Sequence, residues 1–161
     1  MVPLKYPIEA IRQSLDEEGV VLLQEFAQVD EHELEQLPLK ESYNPLTHKY
    51  LSYSGELLDK KLRVILARLE AFGSFQAELL VFRPGDYTLV HDDAFEKGIV
   101  GFLSVGAWDY EDRGYLAVDH EPIFLPENAL LLVHGEFRWF VKKVSSEAKK
   151  NKMIIIFRSV E

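Results

Sequence analysis

The second half of this chain is a series of short apolar runs cut at near-regular intervals by turn signals. FQAELLVF is followed by RPGD, then YTLVHDD, GIVGFLSVGAW, YLAV, NALLLVH, FRWFVKKV and KMIIIFRSV. Runs of this length, rich in β-branched and aromatic residues and bounded by Gly, Pro and Asp, are strands. Many even strands in one half, after helical patterns in the other, restrict the chain to a β-sandwich or jelly roll carrying a helical layer. At 161 residues it is long enough for one domain with one sizeable core. The expectation is a mainly β, α+β chain: a helical N-terminal layer over 1–73 and a jelly-roll core over 74–161.

The N-terminal part reads as helix, strand, helix. Ile8, Ile11 and Leu15 share a helical face, and Gly19 is a good stop. GVVLLQEF predicts a strand. Asp30 with Glu33 resembles a capping box opening a helix through Leu37. Residues 38–54 read as a loop with Tyr-rich extended pieces. Leu58, Leu62, Ile65, Leu69 and Phe72 step by fours and threes, which predicts one longer helix ended by Gly73.

Charge and composition narrow the function. A net charge of −9 leaves nothing to neutralise phosphates broadly, so nucleic acid is not an expected partner. No cysteine is present, which excludes disulfides and thiolate metal sites. No apolar run approaches a membrane span, and the first residues lack the apolar core of a signal peptide. The expected location is the cytoplasm. Oligomeric state leaves no trace in the sequence.

The chemistry concentrates in GDYTLVHDD. Residues two apart in a strand face the same side, so Leu89, His91 and Asp93 share a face. An imidazole and a carboxylate at that spacing can both ligate one divalent ion. A second histidine would complete the two-histidine, one-carboxylate set of non-haem Fe(II) oxygenases. The structural alternative is a histidine ending a strand and two aspartates beginning a turn.

The order of motifs from GDYTLVHDD through LSVGAWDYEDRGYLAV, LPENALLLV, WFVKKV and KMIIIF resembles the prolyl 4-hydroxylase-like branch of the 2-oxoglutarate/Fe(II)-dependent dioxygenases. The resemblance implies a double-stranded β-helix, with Fe(II) and 2-oxoglutarate as cofactors. It places His91 and Asp93 at the first two iron ligands and Trp108, Pro126, Asn128 and Leu130 at structural positions of the motif. Arg113-Gly114 stands where Gly-Gly is usual.

At the position of the second histidine stands Trp139, whose indole is a donor only and cannot ligate iron. His134, expected at the tip of a hairpin turned by Gly135, Glu136 and Phe137, is a candidate replacement if the register shifts, as is Glu136. The distal carboxylate of 2-oxoglutarate needs a buried cation. Lys152, at the start of the last strand, matches the family position, and Arg158 lies on the same face. Two functions follow as expectations: a hydroxylase of unknown substrate, or a catalytically inactive relative that binds a small molecule, a metal or a protein. In the second, an inward row of Phe137, Trp139 and Val141 exchanges catalysis for packing.

Overall fold

The computed structural model describes residues 7–88, 94–106, 108 and 114–160. Ten strands form one sheet system in the order β2-β3-β4-β10-β6-β9-β7-β8, with β1 on β9 and β5 on β3. In chain order the strands are β1 (Val20–Leu23), β2 (Lys40–Asn44), β3 (His48–Tyr53), β4 (Ser74–Phe82), β5 (Tyr87–Thr88), β6 (Ala94–Val105), β7 (Leu116–Val118), β8 (Glu121–Ile123), β9 (Leu130–Val141) and β10 (Lys152–Val160). The helices are α1 (Ile8–Glu18), α2 (Glu31–Glu35), α3 (Glu56–Lys61) and α4 (Arg63–Leu69). All pairings are antiparallel, as expected for a jelly roll.

KMIIIF is apolar without alternation because β10 lies between β4 and β6 and is covered on both faces. Met153, Ile155 and Phe157 join Ala77, Leu79 and Val81 in a core shared with the helices. Ile154 and Ile156 join Leu80, Phe82, Val100 and Phe102 in the core inside the roll. α1 contributes Ile11 and Leu15 to the helix-side core and ends at Gly19, whose left-handed φ of 77° favours a residue without Cβ.

Three local expectations change. Residues 38–54 are not a loop: β2 and β3 pair from Lys40↔Ser52 to Asn44↔His48 and extend the sheet beyond β4. The helix over 58–72 is broken at Leu62 into α3, α4 and a final 3₁₀ turn over Glu70–Phe72, though Leu58, Leu62, Ile65 and Leu69 all remain buried as their spacing predicts. Asp30 caps α2 by accepting from the His32 backbone N–H at 2.8 Å, one residue short of the capping-box partner.

The expected hairpin at 134–137 is the largest correction. NALLLVH and FRWFVKKV belong to one continuous strand, β9, paired with β6 from Leu103↔Leu130 through Ala94↔Trp139 without a slip. Gly135 lies opposite Gly98, and both have positive φ, 112° and 94°. A pair of glycines facing each other lets both strands bend at one level and pass from one sheet of the roll to the other. The sequence pattern Val-His-Gly-Glu looks like a turn because the same residue that turns a hairpin also bends a ribbon.

Candidate functional site

The unbroken β6–β9 register decides which β9 side chains face inward. Leu131, Val133, Phe137, Trp139 and Val141 belong to the core inside the roll, and Leu130 and Leu132 to the helix-side core. His134 shares the face of Leu130 and Leu132. Its Nδ1 lies 3.9 Å from Asp16 Oδ1 of α1, so it faces the N-terminal helix on the side opposite Trp139.

Trp139 is 3% exposed, and its ring stacks edge-on against Phe102 at 5.8 Å and 70°. Phe137 packs on the same Phe102 at 6.2 Å. The indole N–H of Trp139 donates to Glu96 Oε2 at 3.0 Å. Glu96 in turn accepts from Arg158 Nε at 3.0 and 3.1 Å, and Arg158 Nη1 donates to Glu78 Oε1 at 2.8 Å. The inward row of Phe137, Trp139 and Val141 is therefore filled with packed rings and tied to a three-residue ion network.

Arg158 illustrates two opposing forces. Burial works to lower its pKa, but the hydrogen bond to Glu78 and the charges of Glu96 and Glu78 outweigh it and the guanidinium is held above its usual value. Tyr50 lies near this network, stacked on His48 at 4.8 Å and tilted against Phe82 at 5.3 Å. Burial first, and the Glu78 charge second, raise its phenol pKa, against smaller lowering effects from Ser42 and Arg158.

Lys152 is 6% exposed, one of three buried polar or charged residues among the described ones, with Asp86 and Ser104. It shares the inward face of β10 with Ile154 and Ile156, so it is no surface lysine. Asp86 closes the RPGD turn: its Oδ2 accepts from Arg83 Nε at 2.7 Å and from the Arg83 backbone at 2.9 Å, and the first of these bonds leads in raising the Arg83 pKa. Ser104 donates to the carbonyl of Pro126 at 2.6 Å. Trp108 is 2% exposed and donates to the Met153 carbonyl at 2.8 Å, the structural role expected of it.

His91 and Asp93, and Arg113 with them, lie outside the described residues. Among the described residues no three His, Cys, Asp or Glu side chains converge as a metal cage would. Glu78, Glu96 and Tyr50 were not anticipated. A usable signal was present: Glu78 sits inside the apolar run FQAELLVF, on the same face as Leu80 and Phe82, where a carboxylate demands a partner.

No protein-family model matches the sequence, and no curated protein matches it. Solved structures do. A Pseudomonas putida prolyl-4-hydroxylase superposes with a TM-score of 0.69 at 14% identity, covering 96% of this chain and 100% of that one. The viral collagen prolyl hydroxylase vCPH from Paramecium bursaria Chlorella virus-1, solved with 2OG, gives 0.56 at 13% identity, covering 90% and 98%. The non-haem α-ketoglutarate-dependent epimerase SnoN gives 0.63 at 10% identity, covering 94% and 83%.

This chain thus has the double-stranded β-helix fold of the 2-oxoglutarate/Fe(II) oxygenases. The likeness in fold covers nearly the whole chain, to the prolyl-4-hydroxylase and to the epimerase alike. The iron site is a different matter. The resemblance puts the second histidine at Trp139, and an indole there does not fit a two-histidine, one-carboxylate centre: it is a donor only, and its N–H is given to Glu96. No helix among the described residues is long and apolar enough to cross a membrane.

Proposed function

We propose that this chain is a catalytically inactive member of the dioxygenase-like fold that binds a small dicarboxylate, 2-oxoglutarate or a close analogue, inside its jelly roll. The observation that carries the reading is Trp139, buried, packed on Phe102 and bonded to Glu96; the resemblance assigns that position to the third iron ligand. Two donors, His91 and Asp93, would hold iron weakly. Lys152 supports the dicarboxylate. It is a buried ammonium on the inward face, at the strand position that the resemblance assigns to the 2-oxoglutarate carboxylate. Arg158, the other candidate cation, is bonded to Glu78 and Glu96.

An iron-dependent hydroxylase of unknown substrate is the second reading. It is favoured by the His91-x-Asp93 pattern in a chain of this fold, and it needs a third ligand other than Trp139. His134 fits that role poorly because it faces α1.

Titration calorimetry on the full chain separates the two. The inactive reading expects heat with 2-oxoglutarate in the absence of metal, no heat with Mn(II), and binding weakened at least about tenfold, ~1.4 kcal/mol, by Lys152→Met. Absence of any 2-oxoglutarate heat would refute the dicarboxylate site. Fe(II)-dependent succinate formation by the wild type would overturn inactivity in favour of the hydroxylase.

A further inference from the structure

β4 is unevenly flanked. On one side β10 pairs with all of it, from Lys152↔Phe82 to Val160↔Ser74. On the other side β3 pairs only at Leu51↔Val81, Ser52↔Leu80 and Tyr53↔Leu79. The chain then leaves the sheet through Gly55, whose φ of 146° begins α3. Among the described residues, no strand covers that flank over 74–78. Five residues at ~3.4 Å each make an open edge of about 17 Å.

A groove of about 520 Å³ opens along this edge, and its walls differ by side. Phe75 and Ala77 point to the helix side, where Leu66 also lines the groove. Glu78 points to the other side, beside Arg158. Asp59, exposed on α3, adds a second carboxylate to the lining. The one guanidinium there is bonded to Glu78 and to Glu96, so it supplies no surplus positive charge.

We propose that this groove takes an extended peptide of alternating basic and apolar residues, added as a strand to the free edge of β4. Main-chain hydrogen bonds to the vacant edge supply affinity, and alternate side chains supply specificity. Apolar residues of the peptide meet Leu66, Phe75 and Ala77, and basic ones meet Glu78, with Asp59 adding to the negative field. The site is separate from the Lys152 interior site and does not depend on it. Exposed edges of this kind are otherwise blunted by charge or by a covering helix; here Asp59 of α3 and Leu66 of α4 line a groove beside the edge.

The test is fluorescence anisotropy of the full chain with labelled acetyl-Lys-Val-Lys-Val-Lys-amide. Two further peptides are N-methylated, one at the valines and one at the lysines. In a strand addition only one set of amides faces the edge. One methylated peptide therefore loses binding at least about tenfold while the other keeps it. Asp59→Lys, at an exposed position that leaves the core intact, is expected to weaken the parent peptide several-fold, and Glu-Val-Glu-Val-Glu is expected not to bind. Amide NMR shifts should centre on 74–78. The proposal is overturned if the parent peptide fails to bind up to about 1 mM. It is equally overturned if both methylated peptides bind like the parent, which would mark a site for amines alone.

Discussion

Replacing Trp139 tests the claim that the iron-ligand position has been converted to packing. Trp139→Ala removes an indole that is 3% exposed and leaves a void against Phe102. Large-to-small changes of this kind cost about 3–5 kcal/mol, from lost transfer energy and the residual cavity together. Trp139→Phe keeps an aromatic ring on Phe102 and loses mainly the N–H donated to Glu96 at 3.0 Å. A hydrogen bond to a charged acceptor is worth about 1.5–3 kcal/mol, and Glu96 keeps both bonds from Arg158, so the lower end applies. The ordering is therefore Ala well below Phe, and Phe modestly below wild type. Against a total stability of about 5–15 kcal/mol the Ala loss is large. It corresponds to a fall in Tm of roughly 6–20 °C at ~2–4 °C per kcal/mol. Urea unfolding followed by far-UV circular dichroism measures it, since the chain has only 2 tryptophans and the substitution alters fluorescence directly. A loss below about 1 kcal/mol for Trp139→Ala, at unchanged urea dependence, would refute the packing argument. Equal losses for Ala and Phe would shift the weight from the ring to the Glu96 bond.

Other substitutions probe the remaining parts. Trp139→His should create Co(II) d–d absorption that the wild type lacks; absorption already present in the wild type would mean that a third ligand exists without residue 139. Gly135→Ala should cost roughly 1–3 kcal/mol in chemical denaturation, a purely backbone effect because an added Cβ meets nothing within 4 Å at φ 112°. Tyr50, whose pKa is raised on folding above the usual 10.0, stabilises the fold fully below that value and loses its contribution as pH climbs through the folded pKa. Stability should therefore decline above about pH 10, and Tyr50→Phe should flatten that decline in urea midpoints taken across the range.

Much of the architecture is legible in local pattern. KMIIIF, buried on both faces, can only be a strand covered on both sides. Leu58, Leu62, Ile65 and Leu69 keep their shared buried face even though the helix is interrupted at Leu62, because side-chain spacing survives a local change of hydrogen bonding. That Lys152 shares a face of the last strand with Ile154 and Ile156 was readable; that this end is buried and not a surface start of the strand was decided by the tertiary structure. Residues 38–54 were not readable as a hairpin, since polar, Tyr-rich strands at a sheet edge carry little hydrophobic period.

The candidate site divides in the same way. That an indole stands at the position the resemblance gives the second histidine is a matter of residue type, read from the motif order alone. The Glu96–Arg158–Glu78 chain joins positions up to 80 residues apart, and no local rule pairs them. His134 shows the limit most plainly. Whether Gly135 turns a hairpin or bends a strand depends on Gly98, its partner 37 residues earlier, through register set by the whole β6–β9 ladder.

Side-chain chemistry and hydrophobic period, being local, thus determined from the sequence a β-roll with helices on one face. Which faces those side chains present, which charges meet and where a strand edge stays open are set by long-range pairing, and only the tertiary structure decided them.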